Sequence, residues 1–182
     1  MTEERRSRTA KVLLEGKPGS GKTTAIMKVL PRLSQVAGGF YTEELRSGSK
    51  RVGFKVTEVV TGKEGILAHI AGKGPQRVGK YKLNLDEFER IALPGIEEAL
   101  KRQGIIVIDE IGKMELFSER FREIVTKIFD SPCNLIATIR SGYHPFTAEL
   151  KRRSDVALIE VTPEGRDAIP ERVAHIFEEI CE

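Results

Sequence analysis

The sequence predicts an α/β fold, a mostly parallel central sheet flanked by helices with a small antiparallel insertion. Three observations carry that expectation. An apolar run at Val12–Leu14 leads into the glycine-rich loop Gly16-Lys17-Pro18-Gly19-Ser20-Gly21-Lys22-Thr23 and straight on into a helix-like segment at Thr24-Ala25-Ile26-Met27. Farther along, Ile105-Ile106-Val107-Ile108 places four apolar residues in a row before Asp109-Glu110, as in a strand buried on both faces of a parallel sheet. Around these two landmarks, apolar runs alternate with segments of helical period.

Taken in order, Ala25, Ile26, Val29, Leu30 and Leu33 form a helical stripe that Pro31 bends or ends. Gly38-Gly39 punctuates the chain, and a strand follows at Phe40–Leu45. Arg51–Val60 and Lys63–Ile70 are strand-like runs joined by the tight turn Thr61-Gly62-Lys63, and together they make the antiparallel insertion. Leu85–Arg102 is helical, with Asp86 and Glu89 at capping-box spacing, and Pro94-Gly95 is expected to split it. After the second landmark, Ser118 is an N-cap for a helix whose stripe is Phe121, Ile124, Val125, Ile128 and Phe129. Cys133–Ile139 and Val156–Val161 read as strands, and Val173, Ile176, Phe177 and Ile180 as one face of a final helix. No repeat or linker divides residues 10–182, which read as one domain behind a charged extension, residues 1–9.

The glycine-rich loop is a phosphate grip. Successive backbone N–H groups of such a loop converge on phosphate oxygens, and the helix that follows adds its positive dipole end. Glycines let the backbone approach the anion and visit positive φ without a Cβ clash. In this P-loop pattern Lys22 reaches the β- and γ-phosphates and the Thr23 hydroxyl ligates Mg²⁺. The carboxyl end of the Ile105–Ile108 strand is where ligands collect in open α/β sheets. There Asp109 would hold Mg²⁺, mostly through water, and Glu110 would orient and deprotonate an attacking water. The expected nucleotide-binding set is thus Gly16, Lys17, Pro18, Gly19, Ser20, Gly21, Lys22, Thr23 and Thr24 with Ile106, Val107, Ile108, Asp109, Glu110, Ile111, Gly112 and Lys113. Thr23 and Asp109 are the metal residues, and Mg²⁺ is the cofactor.

Phosphoryl transfer also wants a further cation or polar sensor. Thr138 and Arg140, at the end of the Asn134–Ile139 strand, are placed to supply it, so the expected catalytic residues are Lys22, Glu110 and Arg140. A lone arginine reads equally well as a surface residue. Lys113 is a second cation candidate, and Glu43, Glu44 and Arg46 either border the site or face solvent.

The composition excludes several classes. The chain has 182 residues, 40% hydrophobic and 31% charged, enough for one domain with a real core. No apolar stretch approaches the ~18 residues a membrane span needs, and Met1–Ala10 lacks an apolar signal region, so a cytoplasmic protein is expected. Cys133 and Cys181 have no paired spacing and read as reduced and structural. His69, His144 and His175 are dispersed and lack metal-ligand spacing. A net charge of +3 with basic clusters at Arg5-Arg6-Ser7-Arg8, Lys50-Arg51 and Lys151-Arg152-Arg153 describes solvated faces rather than a nucleic-acid surface, since no aromatic residues interleave them. Few Asn, Gln, Cys and Met against 30 Lys and Arg and 27 Asp and Glu is a heat-adapted bias.

The loop Gly16–Thr24, the segment Gly39-Phe40-Tyr41-Thr42-Glu43-Glu44-Leu45-Arg46, and above all Asp109-Glu110-Ile111-Gly112-Lys113-Met114-Glu115-Leu116 resemble the THEP1 family of small P-loop nucleoside-triphosphatases. The likeness extends through Ala137-Thr138-Ile139 and Val161-Thr162-Pro163-Glu164. The resemblance implies a RecA- and kinase-like P-loop fold and hydrolysis of ATP, GTP, CTP and UTP to the diphosphate and phosphate with little base preference. Two other readings stay open. The same apparatus serves a nucleotide or small-molecule kinase, with Arg77–Lys82 or Lys151–Arg153 as a lid. It also serves a nucleotide-gated RNA-binding switch, which salt-dependent retention on RNA would reveal. The oligomeric state is left open, a monomer included.

Overall fold

The computed structural model describes residues 9–181, with side chains as far as Glu178. The charged extension expected at residues 1–9 lies outside the described residues except for Thr9, as do the Arg5-Arg6-Ser7-Arg8 cluster and the side chains of Ile180 and Cys181. The elements follow as β1 (Lys11–Gly16), α1 (Lys22–Val29), β2 (Val36–Ser47), β3 (Lys50–Glu58), β4 (Glu64–His69), β5 (Arg77–Val78), β6 (Tyr81–Leu83), α2 (Leu85–Arg102), β7 (Ile105–Ile111), α3 (Glu119–Asp130), β8 (Asn134–Arg140), α4 (Pro145–Lys151), β9 (Val156–Glu160) and α5 (Ile169–Cys181).

These nine strands share one sheet in the order β5-β6-β4-β3-β2-β7-β8-β1-β9. The half from β2 to β9 is parallel, with β8 lying between β1 and β7. The other half is antiparallel. Strand β2 belongs to both: Phe40 sits beside Ile108 of β7 on one side and opposite Glu58 of β3 on the other. The antiparallel part therefore extends the main sheet and recruits β2, β5 and β6 as well as the two runs legible in the sequence.

Alternation along the buried strands sorts their side chains onto two faces. Leu13, Ile106, Ile108, Leu135 and Ala137 pack with α2 and α3, and Val12, Leu14, Ile105, Val107 and Ile136 with α1 and α5. On the first face Phe40, Phe88 and Phe121 meet edge to face at 5.3–5.7 Å between ring centres. All three rings are wholly buried, each worth about 1.5–3 kcal/mol of transfer free energy.

Two glycine readings are corrected. Gly38-Gly39 does not punctuate the chain but lies inside β2. A Cβ on Gly38 would strike the Gly95 carbonyl of α2, and one on Gly39, at φ 127, the Val107 carbonyl of β7. The glycines are there for backbone-to-backbone approach. Pro94-Gly95 does not split its helix either, because α2 is continuous. Its stripe of Phe88, Ile91, Ala92, Ile96 and Ala99 is buried along its length, and several such burials outweigh the roughly 3 kcal/mol cost of an interior proline. The cap of α2 is Asn84 rather than Asp86: its side chain accepts from Glu87 N–H and donates to Glu87 Oε2 at 2.7 Å. Glu89 instead accepts from the Ser118 hydroxyl at 2.7 Å, and Ser118 caps α3 as expected, accepting from Phe121 N–H at 3.0 Å. Helix α4 was not foreseen, and no apolar stripe marks its 7 residues.

Candidate active site

The P-loop forms where β1 ends. Gly19 and Gly21 adopt φ 79° and 102°, conformations that L side chains rarely adopt, and Gly21 hands the chain to α1. Gly16 has no room for a Cβ because Ser20 and the Val161 carbonyl crowd it. Lys22 is almost fully buried and donates from Nζ to the Gly16 carbonyl at 2.7 Å and the Lys17 carbonyl at 3.3 Å. Its Nζ also stands 3.7 Å from Glu110 Oε2, which ties the loop to the second motif.

Strand β7 delivers that motif. Its register against β8 slips between Ile108 and Ile111, so Asp109 and Glu110 leave the regular ladder. Asp109 is 1% exposed. Thr23 Oγ1 donates to its Oδ2 at 2.8 Å and Thr138 Oγ1 to its Oδ1 at 2.5 Å. Burial pushes the Asp109 carboxyl above the usual aspartate range, while the two hydroxyls and Lys22 pull it back. Burial likewise raises Glu110, and the Lys22 ammonium partly offsets this.

A third carboxyl lies beside them. Glu115, in a 3-10 turn after β7, is buried, and burial with the neighbouring Glu110 holds it well above the ordinary carboxyl range. A Cβ on Gly112 would come within 2.5 Å of Glu110 Oε1 and 2.7 Å of Glu115 Oε2. Gly112 is thus required so that two carboxyl groups can share the space above it.

These groups line a cavity of about 760 Å³. Pro18, Gly19, Gly21, Lys22, Thr23 and Thr24 form its P-loop wall, and Asp109, Glu110, Lys113, Met114 and Glu115 its β7 wall. The antiparallel half of the sheet adds Thr42, Glu43, Glu44, Arg51, Phe54, Leu67 and Val78. Arg51 is fixed there, donating to Tyr81 Oη at 2.9 Å and Glu44 Oε1 at 2.6 Å while lying over the Phe54 ring. Arg166 lines the same cavity and packs over Gly21.

Not every expected residue lines this cavity. Ile106, Val107, Ile108 and Ile111 are core residues that hold the strand in place, and Gly16 and Lys17 supply the carbonyls that bind Lys22. Ser20 is buried, its hydroxyl without a hydrogen-bond partner. Thr138 serves Asp109 directly. Arg140 lines a neighbouring cavity, from which its charge draws the Glu110 carboxyl down slightly. Glu43 and Glu44 do border the site, whereas Arg46 turns to Glu44 at 2.6 Å. Glu115, Arg166 and the Arg51–Phe54 wall escaped the sequence reading. The one local sign of them was a lone carboxylate between Met114 and Leu116 in an otherwise apolar turn.

Comparison with known proteins places the chain. The NTPase family model matches residues 11–174. The nucleoside-triphosphatase THEP1 of Thermotoga maritima is 47% identical over 167 residues, spanning 92% of this chain and 95% of that protein. Among solved structures, the crystal structure of THEP1 from the hyperthermophile Aquifex aeolicus superposes with a TM-score of 0.84 at 42% identity, covering 92% of this chain and 99% of the other. The solution structure of a human cancer-related nucleoside triphosphatase gives 0.77 at 37% identity, with 92% and 97% covered. With both nucleotide motifs meeting in one cavity and these likenesses running the length of the fold, the chain belongs to the THEP1 family of P-loop nucleoside-triphosphatases.

Proposed function

We propose that the chain hydrolyses nucleoside triphosphates to the diphosphate and phosphate, with Mg²⁺ and with little preference among bases. The observation that carries this reading is the 3.7 Å approach of Lys22 to Glu110 beside the Thr23–Asp109 pair, which brings a phosphate-binding cation, a base and hard oxygen donors to one cavity.

Mg²⁺ fits the donor set. Thr23 and Asp109 offer a hydroxyl and a buried carboxylate 2.8 Å apart, and among the described residues no group of three or more His, Cys, Asp or Glu forms a protein cage. That suits an ion held through one or two protein oxygens together with substrate phosphates and waters. When bound, Mg²⁺ would neutralise charge on the β- and γ-phosphates.

The chain's own groups do the rest. The loop amides and Lys22 hold the triphosphate. Glu110 accepts a proton from water as the water oxygen bonds to the terminal phosphorus and the bridging P–O bond to the diphosphate breaks. A carboxylate raised by burial is a better base near neutral pH than an exposed one. Thr138, which grips Asp109, keeps the metal-binding carboxylate oriented.

Base tolerance draws support from the lining, in which the groups of evident purpose address phosphate and metal. Phosphate release from ATP, GTP, CTP and UTP should give kcat/KM values within about one order of magnitude, ~1.4 kcal/mol in transition-state binding. A preference above a thousandfold rejects broad specificity. A second reading, transfer to an organic hydroxyl, draws on the apolar wall of Phe54, Leu67 and Val78, which water does not need. Running the same assay with γ-labelled nucleotide and candidate alcohols separates the two, since transfer leaves label on an organic product.

A further inference from the structure

Beside the P-loop cavity lies a second one, of about 360 Å³, lined by Lys113, Leu116, Phe117, Arg122, Arg140 and His144. Its lining holds three cations and a histidine and no carboxylate. Several other cations of this protein are matched: Arg153 with Asp130 and Asp155, Lys151 with Glu15, Arg51 with Glu44. Among the described residues none of Lys113, Arg122, Arg140 and His144 forms an ion pair. His144 Nδ1 is in addition buried with no hydrogen-bond partner. Like charges converging in a cleft repel one another and focus a positive potential there, an arrangement that an anion relieves.

Arg122 is anchored through its side chain, and Arg140 and His144 through their main-chain carbonyls. Arg122 donates to the Leu116 carbonyl. The Arg140 carbonyl accepts from Lys151 Nζ at 2.8 Å, which is itself paired with Glu15. The His144 carbonyl accepts from the Thr147 hydroxyl at 3.2 Å. Lys113 lines both cavities, and Arg140 lies close enough to Glu110 to bias its carboxyl. The second cavity therefore adjoins the place where the terminal phosphate would be cleaved.

We propose that this cavity is a second anion site that takes a phosphate dianion. The anion is either orthophosphate on its way out or the phosphate of an organic monoester whose body rests on Leu116 and Phe117. The exit role rests on the hydrolysis reading, whereas the phosphate site itself does not. Arginine suits it through its planar fork and lysine through its point charge.

The test uses Lys22→Ala protein, in which the P-loop grip is disabled and turnover is absent, titrated calorimetrically with orthophosphate and separately with phenyl phosphate. Saturable binding of one equivalent of either anion is expected, weakened tenfold or more by adding Arg122→Glu and less by adding His144→Gln. Lys50→Glu, at the exposed tip of the β2–β3 hairpin, should leave affinity unchanged and so controls for net charge. Thermal melts confirm that each variant is folded, and His144→Gln carries the test if Arg122→Glu is not. Orthophosphate alone binding identifies an exit site, and phenyl phosphate binding at least as well identifies a monoester site. Absence of saturable binding by both anions, equal weakening by Lys50→Glu, or retention of polyuridylate without binding of either small phosphate overturns the proposal. Because no arm requires turnover, a failure of the hydrolysis reading would leave this result standing.

Discussion

Thr138 and Asp109 meet across neighbouring parallel strands. The wholly buried Thr138 hydroxyl donates to Asp109 Oδ1 at 2.5 Å, leaving Oδ2 to the Thr23 hydroxyl in the first turn of α1. One buried carboxylate is thus clamped from two elements. Replacing Thr138 by valine keeps the volume and removes the donor. Thr138→Val should cost about 1–3 kcal/mol of stability, the penalty for an unsatisfied buried acceptor. It should also weaken Mg²⁺-dependent nucleotide binding. Urea denaturation and nucleotide titration check this, and wild-type values in both would mean that Asp109 is oriented by other contacts.

Lys22 and Glu110 should separate binding from chemistry. Lys22→Ala removes the direct cationic partner of the triphosphate, so both affinity and turnover should collapse. Glu110→Gln should retain bound nucleotide and lose roughly 10²-fold or more in kcat. Equilibrium binding and single-turnover rates measure the two effects. Normal turnover in a folded Glu110→Gln protein would assign the base to another residue, with Glu115 the nearest.

Glu115 makes stability depend on pH with a definite sign. Its carboxyl is held well above the ordinary range by burial and by Glu110. The native state therefore keeps a proton that the unfolded chain has released, and stability falls as pH rises from the usual carboxylate range toward the raised native value. Glu115→Gln is neutral at every pH and lacks that slope. Its stability relative to wild type should be near parity at pH 4 and increasingly favourable by pH 8. Urea melts across that interval decide the matter, and a constant difference would refute the assignment.

Arg140 stands one cavity away from the P-loop but acts on Glu110. If that influence serves the reaction, Arg140→Ala should lower kcat more than it raises KM. Lysine should rescue poorly, lacking the planar fork. Unchanged kinetics would return Arg140 to a surface role and turn attention to Lys113, which lines the P-loop cavity itself.

The two motifs were legible because each is local: the P-loop needs its glycines in sequence, and β7 needs an unbroken apolar run. The helical stripe of α3 was legible for the same reason, and each of its five predicted core residues is buried. What escaped depends on long-range contact. Gly38 and Gly39 look like a turn until α2 and β7 close on them. Pro94 looks like a break until the buried face of α2 outweighs it. Glu115 sits within the stretch that carries the resemblance, but nothing local shows that the fold buries it beside Glu110. Arg51, Phe54 and Arg166 reach the site from strands and turns far from either motif, with no spacing to announce them.

The glycine contacts of β2 also bear on how this protein can be re-engineered. Because Gly38 rests on α2 and Gly39 on β7, the strand that carries them into the antiparallel half is packed directly against the strand that bears Asp109 and Glu110. A loop graft or domain insertion there would be transmitted to them. The hairpin tips at Gly48 and Gly62 have nothing within 4 Å of an added Cβ and adjoin no residue of the cavity wall. They are the positions where foreign sequence can be spliced in while the phosphate chemistry is left alone.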